Sequence, residues 1–253
     1  MVLFTPLEQF QVLSFFSLNM FYLDFSITNV LIVAFLSLIF LSSCLWLVLS
    51  HDFTCGVVPN NWQVILEFIS KAIPQLLLDN LNKKGEFYVP FILTSFLLIM
   101  LSNLIGLIPY SFTFTSHIII TFALSLTIFI GVTIISISIY KLKMLSLFIP
   151  ANTSIGLALL LVPIEFISYI FKPISLGVRL FANLMAGHTL LKVIAGFSWT
   201  MVFLNNVVLS SLHLFPLVIL ILLFGLELGV AIIQAYVFTI LSCIYLNDSI
   251  NLH

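Results

Sequence analysis

Long apolar runs separated by short polar breaks dominate the chain. Residues 29–50 form the first uncharged run, and about 20 apolar residues suffice for a helix to cross a bilayer. Polar residues then interrupt the pattern over 51–86. Within that stretch, 60–81 sets Trp62, Ile65, Phe68, Ile69, Ile73 and Leu76 against Gln63, Glu67, Lys71 and Gln75. The apolar positions recur at helical spacing, which predicts an amphipathic helix lying in the membrane interface. Residues 87–109 make a second span, 110–117 a short uncharged loop, and 118–140 a third span closed by Lys141 and Lys143.

The C-terminal part does not divide so cleanly. From 155 to about 203 the only strongly polar interruptions are Glu165, Lys172, Arg179, Asn183, His188 and Lys192. After a weakly polar patch at 205–213, the run 214–246 is broken only by Glu227 and Gln234. Some 45 residues of helix extend about 65 Å, roughly twice the hydrocarbon thickness. The pattern therefore predicts two long, strongly tilted helices at 150–203 and 206–248 forming a hairpin, with Pro163, Pro173 and Pro216 kinking rather than ending them. The expected fold is an all-α polytopic membrane protein in one domain, 1–253: an N-terminal transmembrane helix, an interfacial helix, a transmembrane hairpin and the long tilted pair.

Composition agrees. The chain is 62% hydrophobic and 7% charged over 253 residues, with a mean hydropathy of +1.29, where soluble domains carry about 25% charged residues. A net charge of −1 excludes a basic nucleic-acid binder. Lys71, Lys83, Lys84, Lys141 and Lys143 fall in two loops, while residues 1–28 and 110–117 hold no cation. The lysine bias places the N-terminus outside and those loops inside. Cys44, Cys55 and Cys243 have no metal-ligand spacing and read as small apolar residues, so no metal or other cofactor is expected. The start lacks a basic or Arg-rich stretch, so neither a secretory signal nor a transit peptide is expected.

One residue changes the picture. Arg179 is the only arginine, and it lies among Leu, Phe and Met. A guanidinium at membrane depth costs about 3 to 17 kcal/mol, depending on the scale used, and stays protonated, so its place there points to use. Glu165, Lys172 and Arg179 lie at steps of seven, Asn183 one turn later, and Glu227 and Gln234 seven apart with Asp248 fourteen further on. Such steps share a helix face. His188, nine residues after Arg179, faces elsewhere. Carboxylates and imidazoles on such stripes can take and release protons. Plainer readings stay open: Glu165 as a lysine's ion-pair partner, His188 as a satisfied core imidazole, Gln234 as an interhelical bond, and Asp248 as a solvated helix end. Asn103, inside the second span, lines a water path or bonds a neighbouring helix.

The stretch Ser175-Leu-Gly-Val-Arg-Leu-Phe-Ala-Asn-Leu-Met-Ala-Gly-His188 resembles the signature of the F-type ATP synthase subunit a family. The resemblance runs along nearly the whole chain, through Ser102-Asn103-Leu-Ile-Gly106-Leu-Ile-Pro109-Tyr110 and Glu227-Leu-Gly-Val-Ala-Ile-Ile-Gln234-Ala-Tyr-Val-Phe. It implies a stator beside a ring of c subunits, each with a carboxyl group at membrane depth. Protons enter by one half-channel, ride the ring and leave by an offset second one, driving rotation and ATP synthesis in F1. By resemblance Arg179 keeps the passing carboxylate ionised and separates the half-channels. His188 and Glu227 match the inlet, with Glu165 and Asn183 nearby. Gln234 matches the residue facing the arginine from the last helix, and Asp248 an outlet acid on the matrix side.

The His188 and Glu227 arrangement, and the segment Thr5-Pro6-Leu7-Glu8-Gln9-Phe10, resemble mitochondrial members. Cleavage of a short leader before Thr5, seen in some of them, has no support in this chain. The resemblance implies a mitochondrial inner membrane location, with a bacterial plasma membrane the alternative. The implied partners are the c ring, a b-type peripheral stalk, small Fo subunits, lipid, and a second copy of the whole synthase. No Gly-rich phosphate loop is present, so ATP chemistry belongs to other subunits. Two rival classes are weighed against this one. A self-contained cation/proton transporter would show repeats, and none is seen. A purely structural subunit would tolerate loss of Arg179.

Overall fold

Helix dominates because long apolar runs leave the backbone only internal hydrogen-bond partners in hydrocarbon. A computed structural model describes residues 7–17, 19–20, 23–50, 61–108, 111–141, 155–203 and 212–250. The chain before Leu7, the break at 204–211, and Cys55 and Lys143 lie outside that description. Among the described residues the helices are α1 Asn29–Ser50, α2 Asn61–Leu81, α3 Val89–Gly106, α4 Ile118–Tyr140, α5 Ile155–Val202 and α6 Leu214–Ile250. Four stretches are long and apolar enough to cross a membrane: Gly85–Gly106, Ile118–Tyr140, Leu159–Val202 and Leu214–Ile250. The all-α polytopic membrane class holds.

The 48 residues of α5 and the 37 of α6 give axial lengths of about 72 and 55 Å, far more than an upright crossing needs. Pro163 and Pro173 lie inside α5 without ending it. A segment that the helical pattern did not anticipate precedes α1. Strand β1 (Ser14–Phe16) pairs with β4 (Ile27–Thr28), and β2 (Asn19–Met20) with β3 (Leu23–Asp24), both antiparallel. Asn29 fastens this segment to the start of α1. Its side-chain oxygen accepts from the N–H of Leu13 at 3.2 Å and of Val30 at 3.0 Å, and its amide donates to the Gln11 carbonyl at 3.0 Å.

The chain divides into two compact units. Unit 1 comprises Met1–Ser43, Leu98–His117 and Leu180–Ala235; unit 2 comprises Cys44–Leu97, Ile118–Arg179 and Tyr236–His253. In unit 1, Asn103 is fully buried and tied at both ends of its amide. Its nitrogen donates to the Ala231 carbonyl of α6 at 3.3 Å, and its oxygen accepts from the Thr115 hydroxyl at 3.1 Å. Of the two readings of Asn103, the helix–helix bond is the one observed. In unit 2, Ile73, Leu77 and Leu81 form the buried side of α2 while Ile65 and Phe68 stay exposed. There α4 and α5 approach closely at Gly177. A Cβ at that position would sit 2.8 Å from Ser125 Oγ and 3.1 Å from the Thr121 carbonyl oxygen. Small residues at such crossings are how membrane helices gain contact where no hydrophobic drive exists between them.

Candidate functional site

In unit 1 the two long helices face each other through polar residues. Asn183 of α5 donates its amide N–H to Gln234 Oε1 of α6 at 3.0 Å. About one and a half turns further along α5, His188 Nδ1 lies 3.3 Å from Glu227 Oε1. Both side chains are largely buried, at 11% and 5% exposure. The contact lacks hydrogen-bond alignment: both Glu227 oxygens and His188 Nε2 are buried with no hydrogen-bond partner among the described residues. Buried polar atoms are nearly always paired, and the exceptions mark unseen water or chemistry. Gly187 makes the approach possible, because a Cβ there would stand 2.8 Å from Glu227 Oε1.

Two open cavities flank this pair. One, of about 290 Å³, is lined by His188 together with Gln9, Phe10, Ser111, Thr113 and Lys192. The other, of about 310 Å³, is lined by Glu227 together with Asn183, Gly187, Leu190 and Val230. A water occupies about 30 Å³ of liquid, so each holds several. The imidazole borders one cavity, the carboxyl group borders the other, and the two groups touch. Each can take and release a proton, so the arrangement can pass protons from cavity to cavity without an open pore.

Unit 2 holds a second polar group on the same helices. Lys172 Nζ lies 3.4 Å from Asp248 Oδ2, with the side chains 30% and 43% exposed. The ammonium also stands 5.1 Å from the Tyr245 ring centroid and 5.7 Å from that of Tyr169. The Tyr140 hydroxyl donates to the Ile250 carbonyl. Glu165 has one carboxylate oxygen buried without a hydrogen-bond partner among the described residues. Arg179 is exposed, as are the apolar Val178 and Phe171 beside it on α5. It forms no ion pair among the described residues. A guanidinium without an ion pair among the described residues, on an apolar membrane helix, leaves its charge available to an anionic partner.

The sequence profile described as ATP synthase A chain matches residues 30–247. The chain belongs to the ATP synthase A chain family. Relatives named ATP synthase subunit a match along nearly the whole of this chain. ATP synthase subunit a of Chondrus crispus is 48% identical over 255 residues, covering 100% of this chain and 98% of the relative. That of Pylaiella littoralis is 50% identical, covering 98% and 99%. That of Brassica napus is 46% identical, covering 98% and 97%. As an ATP synthase A chain the protein is the proton-translocating stator subunit of the Fo sector, without nucleotide catalysis. It spans the membrane and assembles within Fo with the c ring and other subunits.

The geometry sorts the residues expected to act. His188 meets Glu227 and Asn183 meets Gln234, all in unit 1. Asp248 meets Lys172 in unit 2. Glu165 also lies in unit 2. Gln9, Thr113, Tyr169, Tyr245 and Gly187 escaped notice as site residues. Only the last carried a sequence signal, a glycine directly before the histidine.

Proposed function

We propose that the His188–Glu227 pair, with its two cavities, is the core of the inlet half-channel. The single observation that carries this reading is a buried imidazole–carboxyl contact, short of hydrogen bonds, bordered by a cavity on each side. Protons pass from the cavity beside His188 to the imidazole, then to Glu227, then into the cavity beside Asn183. There the Asn183–Gln234 amide pair orients water toward the c-ring carboxyl group. Arg179, exposed and without an ion pair among the described residues, attracts that carboxylate in its ionised form. Because a guanidinium does not release its proton, it also blocks a direct leak. The driving energy is about 2.3 kcal/mol per proton per 100 mV.

Asp248 is the acid of the outlet, and Glu165 is a further acid of the proton path. The buried, unpartnered oxygen of Glu165 supports this, as does the partial exposure of Asp248. The membrane is the mitochondrial inner membrane, with the N-terminus on the intermembrane-space side, α2 in the interface, and α5 and α6 as a tilted hairpin against the ring. The lysine distribution and the algal and land-plant relatives support that placement. A b-type peripheral stalk and small Fo subunits hold the chain against the ring's torque.

The test is an exchange. His188→Glu combined with Glu227→His keeps one imidazole and one carboxyl group in contact. The double variant is expected to retain more proton transport than either single variant. A double variant no better than the worse single one contradicts a shared path. Topology has its own check: Lys71, 78% exposed along its side chain, reacts with amine reagents supplied from the matrix side only. Labelling from the outer side reverses the orientation.

A further inference from the structure

The cavity beside His188 has a wall that the proton path described above does not use. The short 3-10 turn Glu8–Phe10 supplies it through Gln9 and Phe10. The turn is held in place from several directions. The Phe10 ring centroid lies 6.4 Å from that of His188, and Glu8 is close enough to Lys192 for their charges to attract. Just beyond the turn, Asn29 clamps Gln11 and Leu13 to the start of α1.

Gln9 Nε2 and His188 Nε2 are both buried with no hydrogen-bond partner among the described residues, and both residues line this one cavity. The chemistry of the two nitrogens is complementary through water. An amide nitrogen only donates, whereas a neutral imidazole that turns Nδ1–H toward Glu227 leaves Nε2 as an acceptor. A water that accepts from Gln9 can therefore donate to His188. As placed, both nitrogens are shielded from the cavity although their residues line it. Rotation about the terminal amide torsion of Gln9, which is soft, brings its N–H groups to the cavity. A carboxamide suits the place because it orients water without competing for the proton.

We propose that Gln9 is a positioning residue of the proton inlet: it holds the water that hands the proton to His188, and the N-terminal turn is a functional wall of that cavity. The inference rests on the inlet reading of His188 and Glu227.

The experiment uses the complete synthase in membrane vesicles, with ATP-driven acidification followed by a pH-sensitive dye. Gln9→Leu keeps the side chain's bulk and removes its amide. It is expected to slow pumping about tenfold, the factor corresponding to one lost hydrogen bond, with assembly unchanged. Gln9→Asn restores most of the rate, which a merely structural role would not require. In a background carrying Cys44→Ser, Cys55→Ser and Cys243→Ser, the thiol introduced by Gln9→Cys reacts with a small water-soluble methanethiosulfonate after assembly, and the reaction stops pumping. Because labelling follows assembly, this arm stands even where Gln9→Leu disturbs folding.

Pumping unchanged in Gln9→Leu overturns the proposal, as does Gln9→Asn remaining as slow as Gln9→Leu, or a thiol that stays unreactive. Glu227→Gln is the control. If it leaves pumping intact, the inlet reading itself has failed. If it stops pumping while Gln9→Leu does not, only the role of Gln9 has.

Discussion

Two polar constellations occupy the long helices, and they are built on opposite terms. Around His188 and Glu227 the side chains are buried and their hydrogen-bonding capacity is left open. Around Lys172 and Asp248 the charges are partly exposed and well supplied, the ammonium meeting a carboxylate and two tyrosine rings. A satisfied, half-exposed pair contributes little, about 0–1 kcal/mol. An unsatisfied buried polar atom costs about 1–3 kcal/mol. A buried, unsatisfied pair beside two cavities is therefore maintained at a cost, whereas the half-exposed Lys172–Asp248 pair keeps its charges beside water at almost none. The difference is one of burial and satisfaction, and it is visible without any appeal to spacing.

The comparison breaks most readily at Glu227. Glu227→Gln keeps shape and polarity but removes the ionisable group, so coupled proton transport is expected to fall at least a hundredfold with the subunit still assembled. Transport within twofold of the parent would place the path elsewhere. A smaller effect is expected at Gly187. The Cβ of Gly187→Ala would stand 2.8 Å from Glu227 Oε1, and the carboxyl end can swing aside, so stability should hold while contact with His188 is lost. Transport then drops about tenfold, as for a single misplaced interaction. Adding Glu227→Asp, one methylene shorter, recovers part of it; no recovery would show that the glycine serves packing alone. Smallest is Lys172→Met. It should leave transport within about twofold and shift thermal stability by no more than about 1 kcal/mol. A collapse of transport there would erase the distinction between the two constellations.

The fold class was legible because hydrocarbon admits so few backbone solutions. Runs such as 118–140, with no charge at all, admit only a spanning helix. The site was legible in part. Arg179 announced itself by cost, and Glu227 and Gln234 by their shared face. Pairing across helices came only through resemblance, as for His188 and Glu227, because spacing within a helix says nothing about which residue of a neighbour lies level with it. The acceptor of the Asn103 amide, a backbone carbonyl on α6, left no trace in either segment's pattern. Gln9 carried no such mark, because its single 3-10 turn of three residues is too short for periodicity to show an inward side.

The central claim is that Arg179 and the buried pair separate an inlet from an outlet, so that protons cross only by way of the ring. Passive proton flux through membranes holding the complex stripped of its soluble head, with Arg179 and with Arg179→Gln, tests this directly. The account predicts that ring-coupled transport vanishes in Arg179→Gln while the subunit stays assembled. Coupled transport at the parental rate would contradict it and leave the chain a structural member of the membrane sector.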